Sequence, residues 1–210
     1  TKSLKFLSSC ILAISIANVL YYFTMRQFLA SILEVAEVAI VALLAVIFIR
    51  TFLVQPFLVS GASMVPTFIN GDYLLIDELT YRFREPARGE VVVFRYPKDE
   101  STYFIKRIIG MPGDMIVIQN GQVKLVNSAY PDGKVFDEKY LPPGMITTTR
   151  SAATAEFKLH EEEYLVLGDN RPFSFDSRDW GILRAEEIVG LVRLRLWPVR
   201  QFMVFAAPNY

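Results

Sequence analysis

The sequence predicts a mainly β protein, in which one or two N-terminal transmembrane helices precede an antiparallel β domain. First, hydrophobic residues make up 52% of the 210 residues, a larger share than most soluble domains have. Second, the apolar residues near the N-terminus form two long runs. Third, after Pro56 they fall in short runs separated by turn signals, which is typical of antiparallel strands.

The charge balance and the rare residues exclude several function classes. The 22 basic residues balance the 22 acidic ones, so nothing in the composition favours a nucleic-acid partner. The single cysteine has no partner for a disulfide within the chain. One cysteine and one histidine cannot build a Cys/His zinc site. We therefore predict no metal site and no cofactor.

The second apolar run, residues 35–54, is the stronger membrane candidate. Its length is close to the ~20 residues that cross a bilayer core, and its centre carries no charge. We assign residues 31–54 to a transmembrane helix. Glu34 and Glu37 would then lie near one interface and Arg50 near the other.

The first apolar run, residues 4–23, lies in an N-terminal segment that we bound at residues 1–30. It predicts either a first transmembrane helix or a signal peptide. Lys2, Lys5 and Arg26 flank the run on both sides, so the positive-inside rule does not decide the topology.

Short strands and turns fill the rest of the chain. We assign residues 55–118 and 164–200 to a β core, residues 119–163 to a small peripheral lobe outside that core, and residues 201–210 to a C-terminal tail. Asn120-Gly121 predicts a two-residue hairpin turn inside the lobe. The predicted strands are residues 73–76, 90–94, 103–109, 116–118, 123–125, 164–167 and 189–197.

The loop Ser60–Thr67 is the first candidate for chemistry. It follows an apolar run and holds two serines, Ser60 and Ser63, among small residues that let a substrate backbone approach. Pro66 keeps the loop out of a helix. The alternative interpretation is a serine-rich loop that leads into a strand.

A serine needs a base, and the base candidates differ in their surroundings. His160 lies in a charged stretch that is typical of a solvated surface. Lys106 lies among large apolar residues, and lysine becomes a base when burial lowers its pKa. Its neighbour Arg107 keeps its proton and is expected to be a structural cation. The alternative is an edge strand protected by two charges.

The third candidate cluster runs from Gly168 to Gly181 and mixes hydroxyls, carboxylates, an amide and guanidinium groups. Asp176 and Arg178 would share a face of an extended strand and could pair. Such a mixture is found in the supporting residues of active sites, and equally in a polar loop with salt bridges.

These clusters, in this order and after a membrane helix, resemble the bacterial type I signal peptidases. That family consists of membrane-bound Ser/Lys endopeptidases, so the resemblance implies a signal-peptidase-type β catalytic domain. It covers the chain from about Arg50 to about Trp197, apart from the more polar and irregular stretch between Pro131 and Glu163. The matching segments are Gln55–Phe57, Ser60–Thr67, Gly71-Asp72, Arg88–Phe94, Ile105–Arg107, Gly110–Asp114 and Gly168–Gly181.

The resemblance implies a role for each matched residue. Ser63 is the nucleophile and Lys106 the general base. The backbone N–H of Ser63 is one oxyanion donor, and Gly61, where some members have serine, marks the position of the second. The supporting residues that it implies are Ser174, which orients the lysine, the Asp176–Arg178 pair, and the Arg107–Asp169 pair.

The resemblance also implies a substrate, partners and a location. Signal peptides of exported preproteins would be cleaved through an acyl-enzyme, with small residues preferred at positions −1 and −3. The expected pocket walls are Phe57, Val59, Met64 and Phe104, of which Phe104 replaces a tyrosine found in many members. The lipid bilayer and the secretion translocon are the other expected partners. The catalytic domain would lie on the extracytoplasmic face of the bacterial plasma membrane.

Two other functions remain open at this stage. Self-cleaving repressors of the SOS type have a related Ser/Lys dyad, but they carry a DNA-binding domain where this chain has apolar runs. A non-catalytic membrane-tethered β adaptor domain is the second alternative.

Overall fold

The computed structural model describes residues 25–47, 54–150 and 153–206. The chain divides into two compact units, residues 1–50 and residues 51–210. Predictions that concern residues 4–23, Lys2, Lys5 and Arg50 lie outside the described residues.

The described part of the first unit is one apolar helix, α1 (Met25–Ile47). Its 23 residues rise about 35 Å, enough to cross a bilayer core, and its large apolar side chains are exposed along the whole length. The helix begins before the predicted residue 31, and Glu34 and Glu37 lie near its middle rather than at an end. Val54 belongs to a strand, because the proline at position 56 does not fit a helix interior.

The second unit contains a large antiparallel sheet of eight strands in the order β1-β2-β11-β3-β4-β9-β10, with β12 paired to β11. Five of its strands follow predicted strands, and the strand at residues 54–58 lies in the apolar run before the serine loop. The two-residue strands at 183–184 and 203–204 were not predicted, and the second lies in the predicted C-terminal tail. The strands are β1 (Val54–Leu58), β2 (Tyr73–Asp77), β3 (Val91–Tyr96), β4 (Asp99–Gly110), β9 (Glu163–Leu167), β10 (Leu183–Arg184), β11 (Ile188–Trp197) and β12 (Met203–Val204).

A second antiparallel sheet of four strands has the order β7-β6-β5-β8. Its strands are β5 (Met115–Gln119), β6 (Gln122–Asn127), β7 (Tyr130–Val135) and β8 (Thr154–Lys158). The predicted turn joins β5 to β6: Gln119 pairs with Gln122, and Asn120 and Gly121 have φ values of 51° and 78°. This sheet begins at residue 115, four residues before the predicted start of the lobe at 119.

The second sheet shares a core with the large sheet. Phe136 and Leu159 from the lobe pack in one cluster with Ile109, Leu165 and Leu167 of the large sheet. The lobe therefore contributes to the packed interior, although its polar composition predicted a peripheral position. Two of its strands, β7 and β8, were not predicted, because their sequences lack an apolar run.

Among the described residues, the outer edge of β1 and part of one edge of β4 are unpaired. β1 pairs only with β2, and residues 99–106 of β4 pair only with β3, since β9 pairs with β4 from Arg107 onward. The two edges approach each other, as the ring centroids of Phe57 on β1 and Tyr103 on β4 are 5.6 Å apart. The cleft described below lies at this point.

Candidate active site

The loop between β1 and β2 presents Ser63, and it is tied at its base. The N–H of Val59 donates to the carbonyl of Asp72, and the N–H of Gly71 donates to the carbonyl of Val59, both at 2.9 Å. Gly61 has φ +98°, a conformation that favours glycine. Its N–H donates to Asn70 Oδ1 at 3.0 Å. The loop is therefore held in one path on either side of the serine.

Lys106 on β4 reaches the serine. Its Nζ is 2.8 Å from Ser63 Oγ and 2.9 Å from the carbonyl oxygen of Ile105. The lysine is only 3% exposed, and the ring centroid of Phe104 lies 5.3 Å from its Nζ. Burial lowers the pKa of Lys106 to about 8, while the charges of Asp176 and Asp169 oppose the shift. An appreciable neutral fraction of this amine therefore exists near neutral pH.

Arg107, the next residue on β4, points into a different environment. Its Nε and Nη2 donate to the two oxygens of Asp169 at 2.8 and 2.6 Å, and both side chains are buried. The second Asp169 oxygen also accepts from Thr67 Oγ1 at 2.5 Å. Asp169 therefore connects β4 to the end of the serine loop, and the predicted Arg107–Asp169 pair is present.

The predicted Asp176–Arg178 pair is also present. Arg178 Nε and Nη2 donate to the two carboxylate oxygens at 2.8 and 2.7 Å, and the side chains are 1% and 0% exposed. Burial alone would raise the pKa of Asp176, but the hydrogen bonds and charge of Arg178 outweigh it, so that the pKa is lowered. Asp176 also caps the short helix α2 (Ser177–Trp180).

Ser174 does not make the predicted hydrogen bond to Lys106. It is buried, and among the described residues its Oγ makes no hydrogen bond of good geometry, although it lies close enough to Asp176 to help lower the pKa of that carboxyl. The hydroxyl instead packs against Gly168, where a Cβ would come within 2.1 Å of Ser174 Oγ and 2.5 Å of the Ser63 carbonyl oxygen. Gly168 is therefore required sterically, a role that the sequence analysis did not assign.

Asn170 is a second residue that the sequence analysis missed. Its backbone N–H donates to the Ser63 carbonyl at 3.0 Å, and its Nδ2 donates to the Ala62 carbonyl at 2.9 Å. These two bonds fix the backbone on both sides of the Ala62–Ser63 peptide. The only sequence signal was the position of Asn170 next to Asp169.

The two predicted oxyanion positions differ. Among the described residues nothing accepts a hydrogen bond from the Ser63 N–H, so this donor is available. The N–H of Gly61 is already donated to Asn70 Oδ1, and Gly61 has no side chain to replace it. Gly61 is therefore not an oxyanion donor in this structure.

A cleft of about 310 Å³ opens beside Ser63 and Lys106. Phe57, Val59 and Phe104 line it, as predicted. Met64 does not, because its side chain points into the domain core and is 1% exposed. The remaining apolar lining is formed by Leu58, Leu74, Val93, Tyr103, Ile105, Phe173 and Phe175.

An alcohol within hydrogen-bond distance of a buried amine, beside an apolar cleft, is the serine–lysine variant of the nucleophile–base arrangement of serine hydrolases. The "Signal peptidase, peptidase S26" family model matches residues 32–197 of this chain. The chain therefore belongs to the signal peptidase family, peptidase S26, and it is a protease of the signal peptidase I type.

Two relatives known from their sequences agree with this assignment. "Probable signal peptidase I-2" of Synechocystis sp. is 38% identical over 80% of this chain and 74% of the relative. "Signal peptidase I" of Bacillus caldolyticus is 36% identical over 77% of this chain and 90% of the relative. A signal peptidase I crystal structure from Enterococcus faecalis V583 is 24% identical, with a TM-score of 0.42 over 52% of this chain and 97% of that one.

Proposed function

We propose that the chain is an endopeptidase that cleaves signal peptides from exported preproteins by a Ser63/Lys106 dyad. The observation that carries the proposal is the 2.8 Å separation between Lys106 Nζ and Ser63 Oγ at a buried position. A nucleophile and a base within hydrogen-bond reach are the minimum that acyl transfer requires.

In the first half-reaction the Ser63 hydroxyl donates its proton to the lone pair of neutral Lys106, and Ser63 Oγ bonds to the scissile carbonyl carbon. The oxyanion that forms accepts a hydrogen bond from the Ser63 N–H. The Lys106 ammonium then gives its proton to the departing amine of the mature protein. The C–N bond breaks, and an ester joins the signal peptide to Ser63.

In the second half-reaction neutral Lys106 accepts a proton from water, and the hydroxide oxygen bonds to the ester carbon. The proton returns to Ser63 Oγ as the ester bond breaks. The signal peptide leaves with a new carboxylic acid, which ionises by giving its proton to water, and the dyad is restored. The lowered pKa of Lys106 supports both steps, because each begins with a neutral amine.

The free edges of β1 and β4 supply a way to hold the peptide. An extended substrate between them can pair its backbone with Phe57 and Tyr103 on opposite sides. Alternate side chains of such a peptide point to the same wall, so positions −1 and −3 would face the apolar lining together. The preference for small residues at both positions is proposed from the family resemblance, not from the volume of the cleft.

The family and α1 support the proposed location. Signal peptidase I homologues are membrane-anchored, and α1 is long and apolar enough to serve as an anchor. We propose that the β domain lies on the extracytoplasmic face of the plasma membrane, near the translocon that delivers the substrate. A Cys10→Ser, Glu100→Cys variant should react with an impermeant thiol reagent from outside spheroplasts, and labelling that requires lysis would contradict this orientation.

The test of the chemistry uses the full chain in detergent with a preprotein substrate. Ser63→Ala and Lys106→Ala should each abolish cleavage, whereas His160→Ala should cleave at the wild-type rate because His160 is exposed and outside the cleft. Wild-type cleavage by either dyad variant would refute the mechanism. Absence of cleavage by the wild type would favour the adaptor interpretation.

A further inference from the structure

The segment that follows β7, residues 137–150, runs next to the active-site support residues, and we call it the strap. It belongs to the polar lobe, and none of its residues lines the cleft. Its side chains and carbonyls nevertheless contact the segment Arg171–Asp179. Arg178 Nη1 donates to the Thr148 carbonyl at 3.1 Å, and Arg150 pairs with Asp179 at 2.9 Å.

The centre of the contact is a buried ion pair between the strap and Arg171. Arg171 Nη2 and Nη1 donate to the two carboxylate oxygens of Glu138 at 2.5 and 2.9 Å. The arginine side chain is 0% exposed and the glutamate 12%. The Tyr140 hydroxyl and Thr147 Oγ1 accept further hydrogen bonds from Arg171. Every guanidinium nitrogen that faces the strap therefore has an acceptor.

The other end of Arg171 contacts the backbone next to the nucleophile. Its Nε donates to the Gly168 carbonyl at 3.0 Å. Gly168 packs against the Ser63 carbonyl, and Asn170 donates to that same carbonyl. A displacement of Arg171 would therefore shift the residues that hold Ser63.

A second series of contacts connects the strap to Lys106, the proposed base. The Tyr140 ring lies against the guanidinium of Arg107, with the Arg107 Cζ 4.0 Å from the ring centroid. Arg107 holds Asp169, and Asp169 accepts from Thr67 in the serine loop. Arg107 and Lys106 are successive residues of β4, so a displacement of the Arg107 backbone also displaces the Lys106 backbone.

From these contacts we infer that Glu138 and Tyr140 are positioning residues for the Ser63/Lys106 dyad. They act through Arg171 and Arg107 respectively, and they touch neither the cleft nor the reacting atoms. The inference rests on the proposed function, because it assigns a purpose to the strap only if the dyad performs the chemistry.

Removal of the Glu138 charge tests the first path. Glu138→Gln keeps the shape of the side chain but leaves the buried Arg171 cation without its carboxylate. Two effects are expected. The loop at Gly168 shifts, which lowers kcat by about 10- to 100-fold, the range known for small misplacements of catalytic groups. The added net positive charge also disfavours the Lys106 ammonium, so the acid limb of the kcat/KM profile moves to lower pH.

Two carboxylates face Lys106, and in the wild type their charges oppose the lowering of its pKa by burial. They are Asp169 and Asp176, each already paired with its own arginine. Neither pair loses a member in Glu138→Gln. A role limited to folding would reduce the amount of active enzyme without moving the acid limb.

The experiment measures kcat, KM and the pH profile of the full chain in detergent on an internally quenched signal-peptide substrate. Glu138→Gln should lower kcat, leave KM within about twofold, and shift the acid limb, while Glu138→Asp should recover part of kcat. The matched control is Glu186→Gln, since Glu186 pairs with Arg184 on the surface, with side chains 73% and 67% exposed. That control should match the wild type.

A wild-type kcat and acid limb in folded Glu138→Gln would overturn the inference. If Glu138→Gln does not fold, variants of Tyr140 test the inference instead. Tyr140→Phe keeps the ring against Arg107, so it should retain a higher kcat than Tyr140→Leu. Equal kcat values in these two variants would overturn the inference. Ser63→Ala, assayed in parallel, separates the two proposals. If it cleaves, the proposed dyad is wrong; if it is inactive while the strap variants are normal, only the strap inference fails.

Discussion

The acid limb of the pH profile is the sharpest prediction, because the active form of the base is its neutral form. Lys106 has a pKa of about 8, against 10.5 for an ordinary lysine. About half of the amine is then neutral at pH 8, about 9% at pH 7 and about 1% at pH 6. Lowering the pH from 8 to 6 should therefore reduce kcat/KM by about 50-fold.

The same arithmetic shows what burial contributes. With an unshifted pKa, only about 0.03% of the amine would be neutral at pH 7, so burial raises the usable base by about 300-fold. The assay is kcat/KM on a quenched peptide from pH 5.5 to 10, which reports the pKa of the free enzyme. Activity should be checked at pH 8 after incubation at each pH, so that inactivation is not mistaken for titration.

Two results would refute this reasoning. An acid limb near pH 10 would mean that water reaches the amine and that Lys106 is not buried in solution. An acid limb that disappears in His160→Ala would place the base on the histidine. In contrast, a limb near pH 8 that is unchanged in His160→Ala agrees with the lysine as base.

Three further predictions follow from single contacts. Lys106→Met should raise the free energy of unfolding at pH 7 by up to about 3 kcal/mol in a denaturant titration. The reason is that the folded protein lowers the pKa of this lysine, so the wild type loses stability as the pH falls from 10.5 towards 8. A lower free energy of unfolding in the variant would contradict this sign. Gly168→Ala should destroy activity and destabilise the fold, since the new methyl group would meet Ser174 Oγ at 2.1 Å; wild-type activity and melting would show that the loop can move aside. Phe173→Ala should raise KM several-fold with little change in melting temperature, since Phe173 lines the cleft and is 80% exposed. The control is Phe83→Ala, since Phe83 is 81% exposed but lies outside the cleft. This control should keep the wild-type KM and melting temperature.

The sequence was informative about the large sheet, because its strands are apolar and separated by Gly, Pro and Asn signals. It was uninformative about β7, whose residues Tyr130–Val135 include a proline, an aspartate and a glycine. This strand depends on its pairing with β6 rather than on its own propensity. Long-range pairing of that kind cannot be read from a local pattern.

For the site, residue chemistry selected Lys106 over Arg107, and the structure brings Lys106 to Ser63. Backbone geometry was beyond that reasoning. Gly61 was expected near the oxyanion, yet its N–H is taken by Asn70. Met64 was expected in the cleft, but the turn after Ser63 directs it into the core. Sequence patterns give residue types, whereas the direction of an N–H or a side chain in a loop depends on the folded path.

Glu138 illustrates a further limit. Its neighbours Asp137 and Lys139 are both charged, so the local sequence indicates a solvated surface. These two neighbours do form an exposed ion pair, with side chains 72% and 84% exposed. Only the fold brings Arg171, 33 residues away, to this carboxylate. Distant partners of opposite charge become recognisable only when the tertiary contact is known.

The adjacency of Lys106 and Arg107 on β4 makes the pairing of β4 with β3 a condition for activity. Val92 lies opposite Lys106 and Val91 opposite Arg107. A slip by a single residue would turn the guanidinium towards the serine and the amine towards Asp169. A guanidinium does not accept a proton, so a misaligned domain would carry no base at all. Under the proposed dyad, a folding chain would therefore become able to cut peptides only after β3 and β4 have paired in their final register.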